Sequence, residues 1–257
     1  MSAPTSDEMV LRRAYRVDVL LADGRVATIR TPGPEDAAAI VSLHDRASDD
    51  SLYSRFFNLN RQAAARYAAK LCADAARLSD ALVAETEGRF IGLATADLVA
   101  AGAAEVSFLV DDSARGRGVA TLLLEHLAAT QRPAGIERLV AEVLAANRAM
   151  LAVFAEAGFT VERSTRSGTV HLEMGTAATD RAMEVADARE RAAEARSLAS
   201  VLAPRVVAVV GAGRDRGGVG REVLETYRAS LHHRRSDGVY DDAAPSPCNI
   251  RATERTR

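Results

Sequence analysis

The stretch EVSFLVDDSARGRGVATLLLEHL, Glu105 to Leu127, decides how the chain is read. It opens as a short apolar strand, packs Arg115, Gly116, Arg117 and Gly118 into a turn, and from Val119 continues with apolar residues at helical spacing. Where a strand passes into a helix through glycines, the first helical N–H groups lack partners and the helix dipole favours negative charge. Glycines let a ligand approach the backbone and the arginines add charge-assisted contacts, so this turn is expected to hold a phosphate. Its spacing, R-G-R-G-V-A, is neither a P-loop, G-x-x-x-x-G-K-S/T, nor the dinucleotide turn G-x-G-x-x-G.

Upstream, YRVDVLLADGRVATIRT alternates about Asp23-Gly24 and predicts a hairpin. GPEDAAAIVSLHDRAS and NRQAAARYAAKLCADAARL predict helices, with DDSLYSRFF between them as an apolar anchor in which Leu52, Tyr53, Phe56 and Phe57 face a core. DALVAETEGRFIGLATADLV gives two strands about Glu87-Gly88. Downstream, IERLVAEVL is a strand, NRAMLAVFAEAGF a helix ending at Gly158, and TVERSTRSGTVHLEM a second hairpin about Ser167-Gly168. The order β-β-α-α-β-β-β-α-β-α-β-β predicts an α/β (α+β) fold, a mixed sheet with helices on its faces.

With 257 residues, 48% of them apolar, the chain can bury one good core and start a second. A net charge of -2 with interspersed signs gives no basic face for nucleic acid or an anionic membrane. The two cysteines, Cys72 and Cys248, lie far apart and suggest neither a disulfide framework nor a metal site, which fits a reducing cytoplasm. The N-terminus has no apolar export segment, and no stretch reaches the roughly 18 apolar residues of a membrane span. Lys70 is the sole lysine, in keeping with a coding bias toward Ala and Arg.

Arg115-Gly116-Arg117-Gly118-Val119-Ala120 matches Q/R-x-x-G-x-G/A, and with the strand EVSFLV before it and NRAMLAVFAEAGF after it the chain resembles the GCN5-related N-acetyltransferases (GNAT) over about Arg16 to Glu173. The resemblance implies the GNAT fold and acetyl-CoA as cosubstrate. Backbone amides from Arg117 to Thr121, through Gly118, Val119 and Ala120, would hold the pyrophosphate, with Arg115 and Gly116 completing the loop. Leu109 and Val110 would pair their backbone with the pantetheine arm. Asn147 would contact the cofactor, cap the helix that follows, or do both. Glu105, at the start of its strand, matches the position of the family's general base, and a carboxylate beside a covered sheet should have a raised pKa. A backbone N–H near Leu109 or Val110 would polarise the thioester carbonyl. The Tyr that many members use to reprotonate the thiolate is missing from GFTVERSTRSGTVHLEM, where His171 is the titratable neutral donor.

After residue 175 the composition changes. Residues 176–203 read as a helical linker, and LAPRVVAVVGAGRDRGGVGREVLETY, within 204–230, as strand, glycine turn and helix. That unit resembles the opening of the CoA-binding domain of acyl-CoA synthetases, with Gly213 where a Ser is usual. A complete doubly wound domain needs over about a hundred residues, so a truncated Rossmann-like β-α unit is expected. The tail, 231–257, reads as disordered, and residues 1–15 as a flexible N-terminus. With DDSLYSRFF, this arrangement resembles bacterial protein-lysine acetyltransferases fused to synthetase-like domains. The expected acceptor is therefore a protein lysine, with a small-molecule amine or a non-catalytic acetyl-CoA-sensing module as alternatives.

Overall fold

The structure, a computed structural model, describes residues 15–56, 66–69, 71, 80–202, 208–210, 218–219, 221–223, 225–226 and 251–253. The chain divides into two compact units, Met1–Glu194 and Ala195–Arg257.

The first unit is built on an eight-stranded sheet in the order β1-β2-β3-β4-β5-β6-β8-β7. Its strands are β1 (Arg16–Leu20), β2 (Val26–Arg30), β3 (Ala81–Thr86), β4 (Arg89–Ala100), β5 (Ala103–Val110), β6 (Arg138–Leu144), β7 (Val161–Arg166) and β8 (Thr169–Gly175). Its helices are α1 (Ala37–Arg46), α2 (Asp49–Phe56), α3 (Val119–Gln131), α4 (Arg148–Glu156) and the start of α5 (Asp180–Leu202). All neighbouring strands run antiparallel except β5 and β6. Hairpin turns fall at the expected glycines, with Glu87 and Ser167 at positive φ (51° and 50°) ahead of Gly88 and Gly168. DDSLYSRF differs from expectation: it is itself the helix α2, with Leu52 2% exposed.

Side-chain alternation divides the core between the two faces of the sheet. On one face Val106 and Phe108 of β5 join Leu123 and Leu127 of α3 and Phe154 of α4. Phe108 and Phe154 meet edge to face, ring centroids 6.1 Å apart. On the other face Ile40, Leu43 and Leu52 of α1 and α2 cover Phe90, Leu93 and Leu109, while Ala68 and Leu71 lie in the same cluster as Ala81 and Val83. Gly92 lies under α3, where an added Cβ would meet side-chain atoms of Val119 and Leu123 at 2.8 and 2.9 Å. The start of α3 is thereby seated low over β4.

The first part of α5, within the stretch expected to be a helical linker, packs on the rest of the first unit. Gly158, just after α4, has φ +78°, and a Cβ there would lie 2.9 Å from the Ala182 Cα of α5. Ala182 and Ala193 are 7% and 1% exposed, and Arg189 pairs with Glu125 of α3. Among the described residues no helix is long and apolar enough to cross a membrane.

In the second unit, Ala208–Val210 forms a strand, and residues 219, 221–223 and 225–226 are helical. Residues Arg251–Thr253 pair in parallel with Ala208–Val210, a departure from the disorder expected of the tail. The glycine turn with Gly213, Lys70, Cys72, Cys248, Phe57 and the rest of the tail lie outside the described residues.

Candidate functional site: a parted sheet and a loop of free amides

β5 and β6 pair at only three positions, Ala103–Arg138, Ala104–Leu139 and Glu105–Val140. Beyond Glu105, β5 stays bonded to β4 as far as Val110, while β6 pairs onward with β8. The sheet therefore parts into a wedge along Val106–Val110. Asp111 donates its N–H to the Ile91 carbonyl of β4, and backbone direction alternates along a strand. Leu109 and Ser107 accordingly face Leu93 and Thr95, and the groups aimed into the wedge belong to Val106, Phe108 and Val110. Of the two residues expected at the pantetheine arm, Val110 faces the opening and Leu109 does not. Phe108 faces the opening as well.

At the end of β5 the chain is tied down before the turn. The Asp111 carboxylate, 3% exposed, accepts from Arg46 Nε (3.0 Å), Arg89 Nη2 (2.8 Å), Ser113 N (3.0 Å) and Ser113 Oγ (2.6 Å). Burial acts to raise its pKa, but the bonds from Ser113, Arg89 and Arg46 outweigh it and hold the carboxyl well below the usual range. Gly116 and Gly118 then adopt φ of +72° and +78°, the left-handed region that favours glycine. The first backbone bond of the following helix runs from Leu122 N to Gly118 O. Among the described residues, the N–H groups of Gly116 through Thr121 have no partner. Such a run of unpaired donors at a helix start suits an anion.

The side chains of the loop arginines are engaged by nearby acids. Arg115 pairs with Asp112 (2.6 Å) and donates to Ser51 Oγ (2.5 Å), at the start of α2. Arg117 lies 3.4 Å from Asp23, and its carbonyl accepts from Ala22 N, so the β1–β2 turn braces the loop. The arginine side chains shape the loop, and its backbone carries the donors. Asn147 caps α4, its Oδ1 accepting from Met150 N at 3.1 Å.

The "Acetyltransferase (GNAT) family" matches residues 47–159. The crystal structure of the GNAT domain of S. lividans PAT is 40% identical and covers 62% of this chain and 96% of its own, with a TM-score of 0.57. The chain belongs to the GNAT acetyltransferase family. Mycobacterium smegmatis RimJ in complex with CoA-disulfide, 21% identical over 68% of this chain and 94% of its own (TM-score 0.51), shares the fold. No curated protein matches the chain.

In this GNAT domain, Glu105 lies on the sheet face opposite α3 and α4. The covered setting expected for it is not found: Glu105 is exposed, because α1 and α2 cover that face nearer its Asp111 end, at Phe90, Leu93 and Leu109. One row of register partners crosses five strands on this face: Asp97, Glu105, Val140, Glu173 and Glu162. Arg138 offsets part of the charge through Glu173 (2.7 Å). One step further along β6 and β8, His171 Nδ1 meets Glu142 Oε1 at 2.7 Å, with both side chains largely exposed. Those two residues help line a hollow with Ser164, Arg166, Ser167 and Thr169.

Proposed function

We propose that this acetyltransferase moves an acetyl group from acetyl-CoA to a lysine side chain of a protein, with Glu105 accepting the proton of the amine. The acidic row carries this reading. Four interstrand steps of about 4.8 Å separate Asp97 from Glu162, roughly 19 Å in all. A face of that length and sign suits a cationic segment of protein better than a compact small amine.

The residues present fit acetyl-CoA, which when bound supplies an acetyl thioester at the wedge. The amides of Gly116 to Thr121 would hold its diphosphate, and the backbone groups of Phe108 and Val110 would take the place of a missing strand along its pantetheine arm. Val110 or Phe108 would supply the N–H that polarises the thioester carbonyl. Asn147, its Oδ1 engaged in the cap, would offer its side-chain nitrogen.

A lysine ammonium is only about one part in a thousand neutral at pH 7, a deficit of roughly 4 to 5 kcal/mol that a base must help to meet. Glu105, exposed at the point where the strands part, can accept a proton at its carboxylate and release it to water. The test is release of CoA and mass-spectrometric detection of acetyl-lysine with peptides bearing basic or acidic flanks. Basic flanks should be preferred. Glu105→Gln should lower kcat by about 100-fold or more and leave acetyl-CoA affinity unchanged by calorimetry, whereas Gly118→Glu should abolish that affinity. Turnover confined to small amines, or indifferent to Glu105, would overturn the reading.

A further inference from the structure

Three hydroxyls form a chain that ends at the parting of the sheet. Tyr67, in the helical residues 66–69, donates its Oη–H to Thr95 Oγ1 of β4 at 3.1 Å. Thr95 Oγ1 and Ser107 Oγ of β5 are 3.0 Å apart, and the two residues are direct register partners. Thr95 is 3% exposed, and Ser107 is half-buried.

The position of Ser107 matters. It shares the sheet face of Glu105, two residues further along β5, and is the first residue on that face beyond the last β5–β6 pair, Glu105–Val140. Its side chain therefore stands at the mouth of the wedge on the same side as the proposed base. Packing alone does not call for hydroxyls here, because the neighbours on this face, Leu93 and Leu109, are buried and apolar. A buried hydroxyl is tolerated only when bonded, and a β-branched aliphatic residue would fill the Thr95 position without that requirement. The chain meets the requirement with Tyr67 on one side and Ser107 on the other.

We propose that Ser107 holds the acceptor amine over the wedge, and that Thr95 and Tyr67 position its hydroxyl. This rests on the acetyltransferase reading above and adds the second contact that Glu105 alone lacks. An amine carries several N–H groups. Bonded to Thr95 in either direction, the Ser107 oxygen keeps a lone pair that accepts one of them while the Glu105 carboxylate accepts another, and the nitrogen is fixed at two points beside the opening. Thr95, held by the Tyr67 hydroxyl on one side, fixes the place of the Ser107 oxygen on the other. Ser107 touches substrate; Thr95 and Tyr67 act through it.

The experiment uses the full chain with whichever amine the unaltered enzyme acetylates, together with calorimetric titration of that acceptor into CoA-loaded protein. Ser107→Ala should raise the acceptor KM and weaken acceptor binding about ten-fold, the size of one hydrogen bond to a charged group, with acetyl-CoA affinity unchanged. Ser107→Thr should restore both. Tyr67→Phe should shift them the same way by a smaller factor, and should add nothing in the Ser107→Ala background. Unchanged acceptor KM and binding in Ser107→Ala would overturn the proposal, as would full additivity of Tyr67→Phe, which would mark a merely structural tyrosine. If the unaltered enzyme takes only small amines, the protein-lysine reading fails while the role of Ser107 is judged on those amines.

Discussion

His126 of α3 shows how one side chain can set the pH response of the fold. Its Nδ1 lies 2.5 Å from Tyr15 Oη, and Arg189 of α5 reaches across to Glu125 beside it. Burial lowers its pKa first, and the positive charge of Arg189 lowers it further. Burial also raises the carboxyl of Glu125, against the opposing pull of Arg189. A histidine whose folded pKa is depressed is neutral in the fold and binds its proton more readily when unfolded, so stability is lost as pH falls below about 6.5. His126→Gln should therefore flatten the dependence of Tm on pH between about 5 and 7; an unchanged slope would locate the response elsewhere. Nothing in LLLEHL announces this, because the partners Tyr15 and Arg189 lie far from it in the chain.

At the scale of elements, the glycines were the most legible part of the sequence. Asp23-Gly24, Glu87-Gly88 and Ser167-Gly168 each mark a turn because only a few residues accept the backbone conformation required there, and the structure places all three glycines at positive φ. Gly116 and Gly118 were readable for the same reason. The parting of β5 from β6 was not, since EVSFLV reads identically whether or not a partner strand follows it to the end. The same gap in the pattern hid Phe108 and favoured Leu109, although alternation counted back from the Asp111 to Ile91 bond tells them apart. Ser107 and Tyr67 escaped notice because a lone hydroxyl carries no spacing signal. Gly158 has a double duty that its place at a helix end only half suggests: it ends α4 and admits the backbone of α5. Gly158→Ala should cost about 1 to 2 kcal/mol for the left-handed backbone alone, and more for the contact with Ala182. Its Tm should fall well below that of Gly168→Ala, a turn position at φ +83° with nothing near an added Cβ.

For the whole molecule, the sequence anticipated the mixed sheet and its helical layers, while the boundary between its units falls within α5, at Glu194, later than the composition change after residue 175 suggests. Helical periodicity runs unbroken through that boundary, so nothing local reveals which turns of the helix are docked. Ala182, Arg189 and Ala193 mark the docked part. The strands on either side of the wedge differ in how firmly they are joined: β4 and β5 are bonded along most of their length, whereas β5 and β6 share three register pairs. Amide hydrogen exchange should accordingly be faster for the β5–β6 pairs than for the β4–β5 ladder in the ligand-free protein, and the difference should shrink on adding CoA. Equal protection in both would count against it.

Those three rungs give the protein a crease. Two groups of strands meet along it, one running from β1 to β5 and the other made of β6, β8 and β7. Glu105 and Val140 form the last rung before the groups separate. The proposed base is thus tied by its backbone to a neighbour on each side, Asp97 and Val140, at the point where the sheet opens.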